Sequence, residues 1–177
     1  NNSTFSGNSA KYDGGAIVNE GMLTVTNSTF SGNSAKYGGA IGNGDYGNLT
    51  LNNCALTGNY VNNPNPQLPT GSGGGIYSTG TLTLDRSLIS GNTAGTGAEV
   101  MQYIDQPLVT SSGDRIDSLL SVTSSGNLFG HDGISGVEGF APDASDIVPN
   151  EALVATLNPA LVNNGGPTLT HAPIEGS

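Results

Sequence analysis

The side chains able to do chemistry are few and unevenly spread. Asp114-Arg115-Ile116-Asp117 sets one base between two acids. That trio could move a proton, but a surface ion pair is its plainer role. Asp132, Asp143 and Asp146 could hold Ca²⁺ in a loop, although they lack the alternating acid spacing that ends in glycine. His131 and His171 are too few for a His-based zinc site, and Cys54 is far from both in sequence. Cys54 is the one cysteine, so no intrachain disulfide is available. It aligns with Ser3 and Ser28, a small inward position that suits an inert thiol. Tyr12 and Tyr37 recur beside Lys11 and Lys36. Such rings could contact sugars, or could cover a corner with their hydroxyls in water. No catalytic, cofactor or metal-binding residue is assigned; Ca²⁺ is the one cofactor for which a place can be imagined.

The 177 residues suggest one domain, and the composition narrows its class. Only 10% of residues are charged and 34% are hydrophobic, while glycine reaches 28. Small apolar triplets recur in register, which marks an ordered, β-rich chain. Net charge is −10 with four basic residues in all. Lys11, Lys36, Arg86 and Arg115 cannot supply the basic patch that nucleic acids need, so nucleic acid is excluded as a partner. Residues 1–98 carry four acids and three bases, whereas residues 99–177 carry ten acids and one base. No apolar run reaches membrane-spanning length, and no signal peptide is seen. The first residue is Asn, inside a repeat. A processed product or a piece of a longer protein is expected.

The elements that must position any site come from a repeat. Phe5-Ser6-Gly7-Asn8-Ser9-Ala10-Lys11-Tyr12 returns as Phe30-Ser31-Gly32-Asn33-Ser34-Ala35-Lys36-Tyr37, 25 residues on. A fixed period of this kind signals a stacked architecture. Each unit has three segments: Ser-Thr-Phe-Ser-Gly-Asn, Gly-Gly-Ala-Ile, and a Leu-Thr-Val or Leu-Thr-Leu alternation at Leu23, Leu49 and Leu82. Period-2 alternation bounded by Gly, Asn and Ser reads as strand. Three strands and three corners make one coil of a parallel β-helix, each coil adding about 4.8 Å. Phe5, Phe30, Leu56 and Ile89 should form one core column, and Ile17, Ile41, Ile76 and Val100 another. Asn8, Asn33, Asn59 and Asn92 should form an amide ladder. Asn at that column also tolerates the left-handed bend a corner needs.

Phe-x-x-Asn at Phe5–Asn8 and Phe30–Asn33, with Gly-Gly-Ala-Ile at Gly14–Ile17 and Gly38–Ile41, resembles the repeats of chlamydial polymorphic outer-membrane proteins. The resemblance spans roughly residues 1–100. It implies a right-handed parallel β-helix, export to the bacterial cell surface, and adhesion. Asn164–His171 resembles a segment that closes such arrays in secreted bacterial β-helix proteins. In the third and fourth units Leu56 and Ile89 replace Phe. Glu99 replaces the motif alanine, a position expected to face outward.

Regularity fails in two places. Asn62, Pro64, Pro66, Leu68 and Pro69 belong to an insertion over 62–70, since prolines cannot sit inside a sheet. It is a candidate contact loop. After Tyr103-Ile104 the pattern loosens. Residues 1–104 are assigned to regular coils, and 105–177 to an irregular continuation or cap of the same solenoid. Within it, 118–127 looks like a partial coil and Glu151–Leu157 like a short helix.

The expected function is a non-enzymatic extracellular or cell-surface β-helix, structural or adhesive. Partners would be itself, stacked head to tail into filaments because no polar cap precedes the first repeat, or a surface glycan or protein. The alternative is a carbohydrate-active enzyme, since right-handed β-helices also host polysaccharide lyases and glycoside hydrolases. A lyase would take Arg115 as base beside calcium-holding acids. A hydrolase needs facing carboxylates. No two acids recur one repeat apart in residues 1–98, so no carboxylate-lined groove is expected there.

Overall fold

The computed structural model describes residues 1–62, 71–103, 121–131 and 134–150, with the backbone of 157–162 and 170–173. The chain is all-β, with no helix among the described residues. Three parallel sheets carry it. The first holds β1 (Thr4–Ser6), β4 (Thr29–Ser31), β8 (Ala55–Thr57), β12 (Leu88–Ser90) and β15 (Leu128–Phe129). The second holds β2 (Ile17–Asn19), β6 (Ile41–Asn43), β10 (Ile76–Ser78), β13 (Val100–Gln102) and β16 (Val137–Glu138). The third holds β3 (Met22–Thr26), β7 (Asn48–Asn52), β11 (Thr81–Asp85) and β14 (Val122–Ser125). A short pair, β5 (Ser34–Ala35) with β9 (Tyr60–Val61), widens one corner. Beyond these, β17 (Leu157–Val162) and β18 (Thr170–Pro173) pair antiparallel. The expected helix falls on residues outside those described, except Leu157, which begins β17.

Register puts like on like. Phe5 lies on Phe30, Phe30 on Leu56, Leu56 on Ile89 and Ile89 on Phe129. Ile17, Ile41, Ile76, Val100 and Val137 form the second column. The Phe5 and Phe30 rings stack 4.8 Å apart at 7°, one inter-strand spacing. Phe30, Ile41, Leu49, Leu56, Ile76, Leu82, Ile89 and Val100 are fully buried. Phe5, Ile17 and Leu23, on the three edge strands at one end, are only partly covered.

The repeat motifs have mechanical reasons. Gly38 takes a left-handed φ of 64°, which L side chains rarely adopt. At Gly39 the constraint is space: a Cβ would collide with the Gly74 carbonyl oxygen and press on Tyr60 N at 2.8 Å. Gly39→Ala should therefore force the backbones of adjacent coils apart. We expect a loss of about 1–3 kcal/mol in urea-induced unfolding, the usual cost of overpacking. A loss below a few tenths would mean that the corner is looser than this geometry requires. The left-handed bends fall not on the ladder asparagines but on Gly7, Gly32, Gly58 and Gly91 just before them. A separate corner column, Asn2, Asn27, Asn53 and Arg86, also has positive φ, between 47° and 54°.

Candidate functional site

Two polar spines run along the core. In the first, Asn8 donates its backbone N–H and its Nδ2 to Asn33 Oδ1 at 3.0 and 2.9 Å. Asn33 does the same to Asn59 Oδ1, and Asn59 to Asn92 Oδ1, all within 2.8–3.0 Å. The Nδ2 groups of Asn33, Asn59 and Asn92 also donate to a carbonyl of the preceding coil, as Asn59 does to Phe30 O at 3.0 Å. Asn33 and Asn59 are fully buried, so every one of these bonds satisfies a group water cannot reach. The second spine follows the last residue of each strand in the β2 sheet. Asn19 Nδ2 donates to Asn43 Oδ1 at 2.8 Å, and Asn43 Nδ2 to Ser78 Oγ at 3.0 Å. Sequence reasoning missed it; Ile-Val-Asn, Ile-Gly-Asn and Ile-Tyr-Ser carried the signal.

Glu99 ends the first spine, and the outward placement expected for it is wrong. It is 2% exposed. Its Oε2 accepts Asn92 Nδ2 at 2.6 Å and Asn92 N at 3.2 Å, while Oε1 accepts Gly91 N at 2.8 Å. Room exists because Gly75 and Gly136, its column neighbours, have no side chains; a Cβ on Gly136 would sit 2.6 Å from Glu99 Cγ. Burial pushes the carboxyl up to about 7, against the pull of those N–H groups and of His131. Cys54 is also buried, and desolvation raises its thiol above the ordinary value. That suits an inert packed group.

Asp143 and Asp146 meet at a turn in the fifth coil. Asp146 Oδ1 accepts Asn127 N and Nδ2 at 2.8 and 3.0 Å, and its Oδ2 accepts Asp143 N and the Ser124 hydroxyl. Asp143 accepts Ser145 N at 2.9 Å, and this bonding holds its carboxyl below the usual range. Both carboxylates thus serve the fold. Among the described residues no three of His, Cys, Asp and Glu gather as a metal site would require. Asp114, Arg115, Asp117, Asp132, Pro64, Pro66, Leu68 and Pro69 lie outside the described residues; Asn62 is exposed.

The open groove of interest lies on the outer face of the β2–β6–β10 sheet, and it corrects the expectation that no carboxylate-lined groove exists in this half. The outward column there reads Val18, Gly42, Tyr77. Gly42 leaves a notch between two larger side chains. Asp13, Glu20, Asp45 and Tyr46 complete a groove of about 240 Å³. The three acids occupy non-equivalent positions of the repeat, so no period connects them. Arg86 with Asp85 is the one ion pair among the described residues, so none of the three has a basic partner there. Burial pushes the Tyr77 hydroxyl up to about 12, with Tyr103, Tyr37, Asp13 and Asp45 adding to the effect. It remains a neutral donor at any ordinary pH. Tyr37 and Tyr103 flank it at 5.2 and 6.4 Å between ring centroids. Lys11 and Lys36 lie 4.9 Å from the Tyr12 and Tyr37 ring centroids.

The Chlamydia polymorphic membrane protein repeat, as a family model, matches residues 2–20 and 27–44. No curated protein and no solved structure matches the chain. The two matched stretches contain β1 to β2 and β4 to β6, with both Phe-x-x-Asn and both Gly-Gly-Ala-Ile motifs. The first two coils of this chain thus match the polymorphic membrane protein repeat, a similarity that suggests a surface-associated bacterial protein.

Proposed function

We propose that this chain is a non-enzymatic module of an extracellular or cell-surface β-helix, right-handed and three strands to the coil. Its work is mechanical: it holds loops and one decorated face away from the surface and supports adhesion. The observation that carries this reading is the parallel, in-register pairing of successive coils through the three sheets. Such a stack is stiff because each coil completes the core of its neighbours.

The end that carries β1, β2 and β3 favours continuation. Its edge strands present backbone groups with no partner strand, over the partly covered Phe5, Ile17 and Leu23. Another coil of the same kind would finish that burial, supplied either by preceding chain of a longer protein or by a copy stacked head to tail. Electron microscopy of the protein isolated without refolding tests this. Filaments whose axial repeat equals one subunit's stack of coils are expected; dispersed single particles at high concentration would overturn the assembly.

The alternative is a carbohydrate-active enzyme, and the carboxylates of the Gly42 groove are the observation in its favour. Acidic polysaccharides incubated with the protein, with and without chelator, should stay uncleaved. Clear turnover would replace the mechanical reading.

A further inference from the structure

We propose that the groove over Gly42 is a binding site for a lysine or arginine side chain of a protein partner, held against Asp45 and Tyr46. This goes beyond the mechanical role and stands on the groove alone, wherever the module is displayed.

The first argument is a break in the repeat. Six residues take the chain from Ile17 to Leu23 and from Ile76 to Leu82, but eight take it from Ile41 to Leu49. Gly44 and Gly47 flank the excess, and Gly47 N closes a turn on Gly44 O at 2.8 Å. Asp45 and Tyr46 are therefore an insertion lifted clear of the coil. Stacking does not require them. Tyr46 is 86% exposed, an expensive place for a ring that nothing in the fold uses.

The second argument is the notch. Gly42 sits in the outward column with an ordinary backbone, so its lack of a side chain is not demanded by φ. A Cβ there would come within 3.1 Å of Gly14 N and 3.4 Å of Asp13 Cβ, so the Asp13–Gly14 corner would have to give by a few tenths of an ångström. Its effect is space, open between Val18 and Tyr77. Glu20 reaches over Gly44 from the first coil, because a Cβ on Gly44 would collide with its carboxylate.

The occupant follows from charge. Three carboxylates without a basic partner among the described residues repel an anionic ligand and attract a cation. Exposed tyrosine adds ring faces on which an ammonium or guanidinium group can rest. The chain already makes such pairs, with Lys11 over Tyr12 and Lys36 over Tyr37. Neutral sugars would use the rings but leave the excess negative charge unanswered.

The test is fluorescence anisotropy with a labelled peptide of alternating Gly and Arg, at about 0.15 M salt so that long-range attraction is screened. The full chain should bind it. Gly42→Val, which fills the notch without touching charge, should weaken binding by about tenfold or more, as should Asp45→Asn and Tyr46→Ala on the exposed turn. Glu138→Gln, an exposed acid on β16, should bind like the parent. Equal weakening by Glu138→Gln and Asp45→Asn, with Gly42→Val and Tyr46→Ala unchanged, would mean a general field of negative charge and overturn the site. Tighter binding of neutral oligosaccharides such as chitotetraose, lost in Tyr46→Ala, would overturn the choice of ligand. No binding by the parent chain would overturn the proposal and leave the filament experiment untouched.

Discussion

Asn59→Leu should cost the protein more than about 3 kcal/mol, a large part of the margin on which a domain of this size stands. The leucine would sit in the same column but accept and donate nothing. Asn33 N would lose its acceptor, Asn33 Nδ2 one of its two, and Phe30 O the Asn59 amide that donates to it. Asn33, Asn59 and Phe30 are fully buried. Each stranded group costs about 1–3 kcal/mol, because no water replaces the lost partner. Asn8→Ala is the control. Asn8 is the exposed first rung, and no further asparagine donates to it. Its loss should stay below about 1 kcal/mol. Urea denaturation of both variants reads the difference directly. Similar small losses in the two would mean that the amide column contributes shape rather than bonding.

The second large effect is set by pH at Glu99. Its carboxyl is raised from 4.5 to about 7 in the folded chain, chiefly by burial. Between those values the folded protein keeps a proton that the unfolded chain has released. Folded protein then binds more protons, so stability falls as pH rises through this window. Below about 4.5 both states hold the proton and the contribution is flat; above about 7 both have lost it and the cost is complete. The window amounts to about 3 kcal/mol. Glu99→Gln keeps a side-chain oxygen for the Gly91 or Asn92 N–H but cannot ionise. Subtracting the variant's unfolding free energies from the parent's, at intervals between pH 4 and 8, cancels the other acids. The difference should fall across the window. A flat difference would place the Glu99 carboxyl near its ordinary value, and a rising one would mean that the three N–H donors outweigh burial.

The core columns and the first spine were legible because they repeat. A residue type that recurs every 25 or so positions can be aligned without knowing the fold, and Phe5, Phe30 and Leu56 needed nothing else. Glu99 was not legible. Its place in Gly-Gly-Ala-Ile is inward, as the buried Ala40 shows, but a charge there invites an outward reading. What admits it is the absence of side chains at Gly75 and Gly136, together with three N–H donors that only the stacked coils bring to one point. The Gly42 groove stayed hidden for a related reason. Asp13, Glu20 and Asp45 come from three different corners of the repeat, and stacking and one extra turn join them. The eight-residue interval from Ile41 to Leu49 was the readable sign of that turn.

The most direct test of the account is hydrogen exchange at the side-chain amides of Asn33, Asn59 and Asn43, followed by NMR on the labelled full chain. If these amides form the axial spines of an in-register parallel stack, their Nδ2 protons should exchange only on unfolding of the coils, as slowly as the backbone N–H of Leu56 and Ile76. Exchange at the rate of exposed Asn62 would contradict the stacked spine, and with it the basis for reading this chain as a rigid surface module.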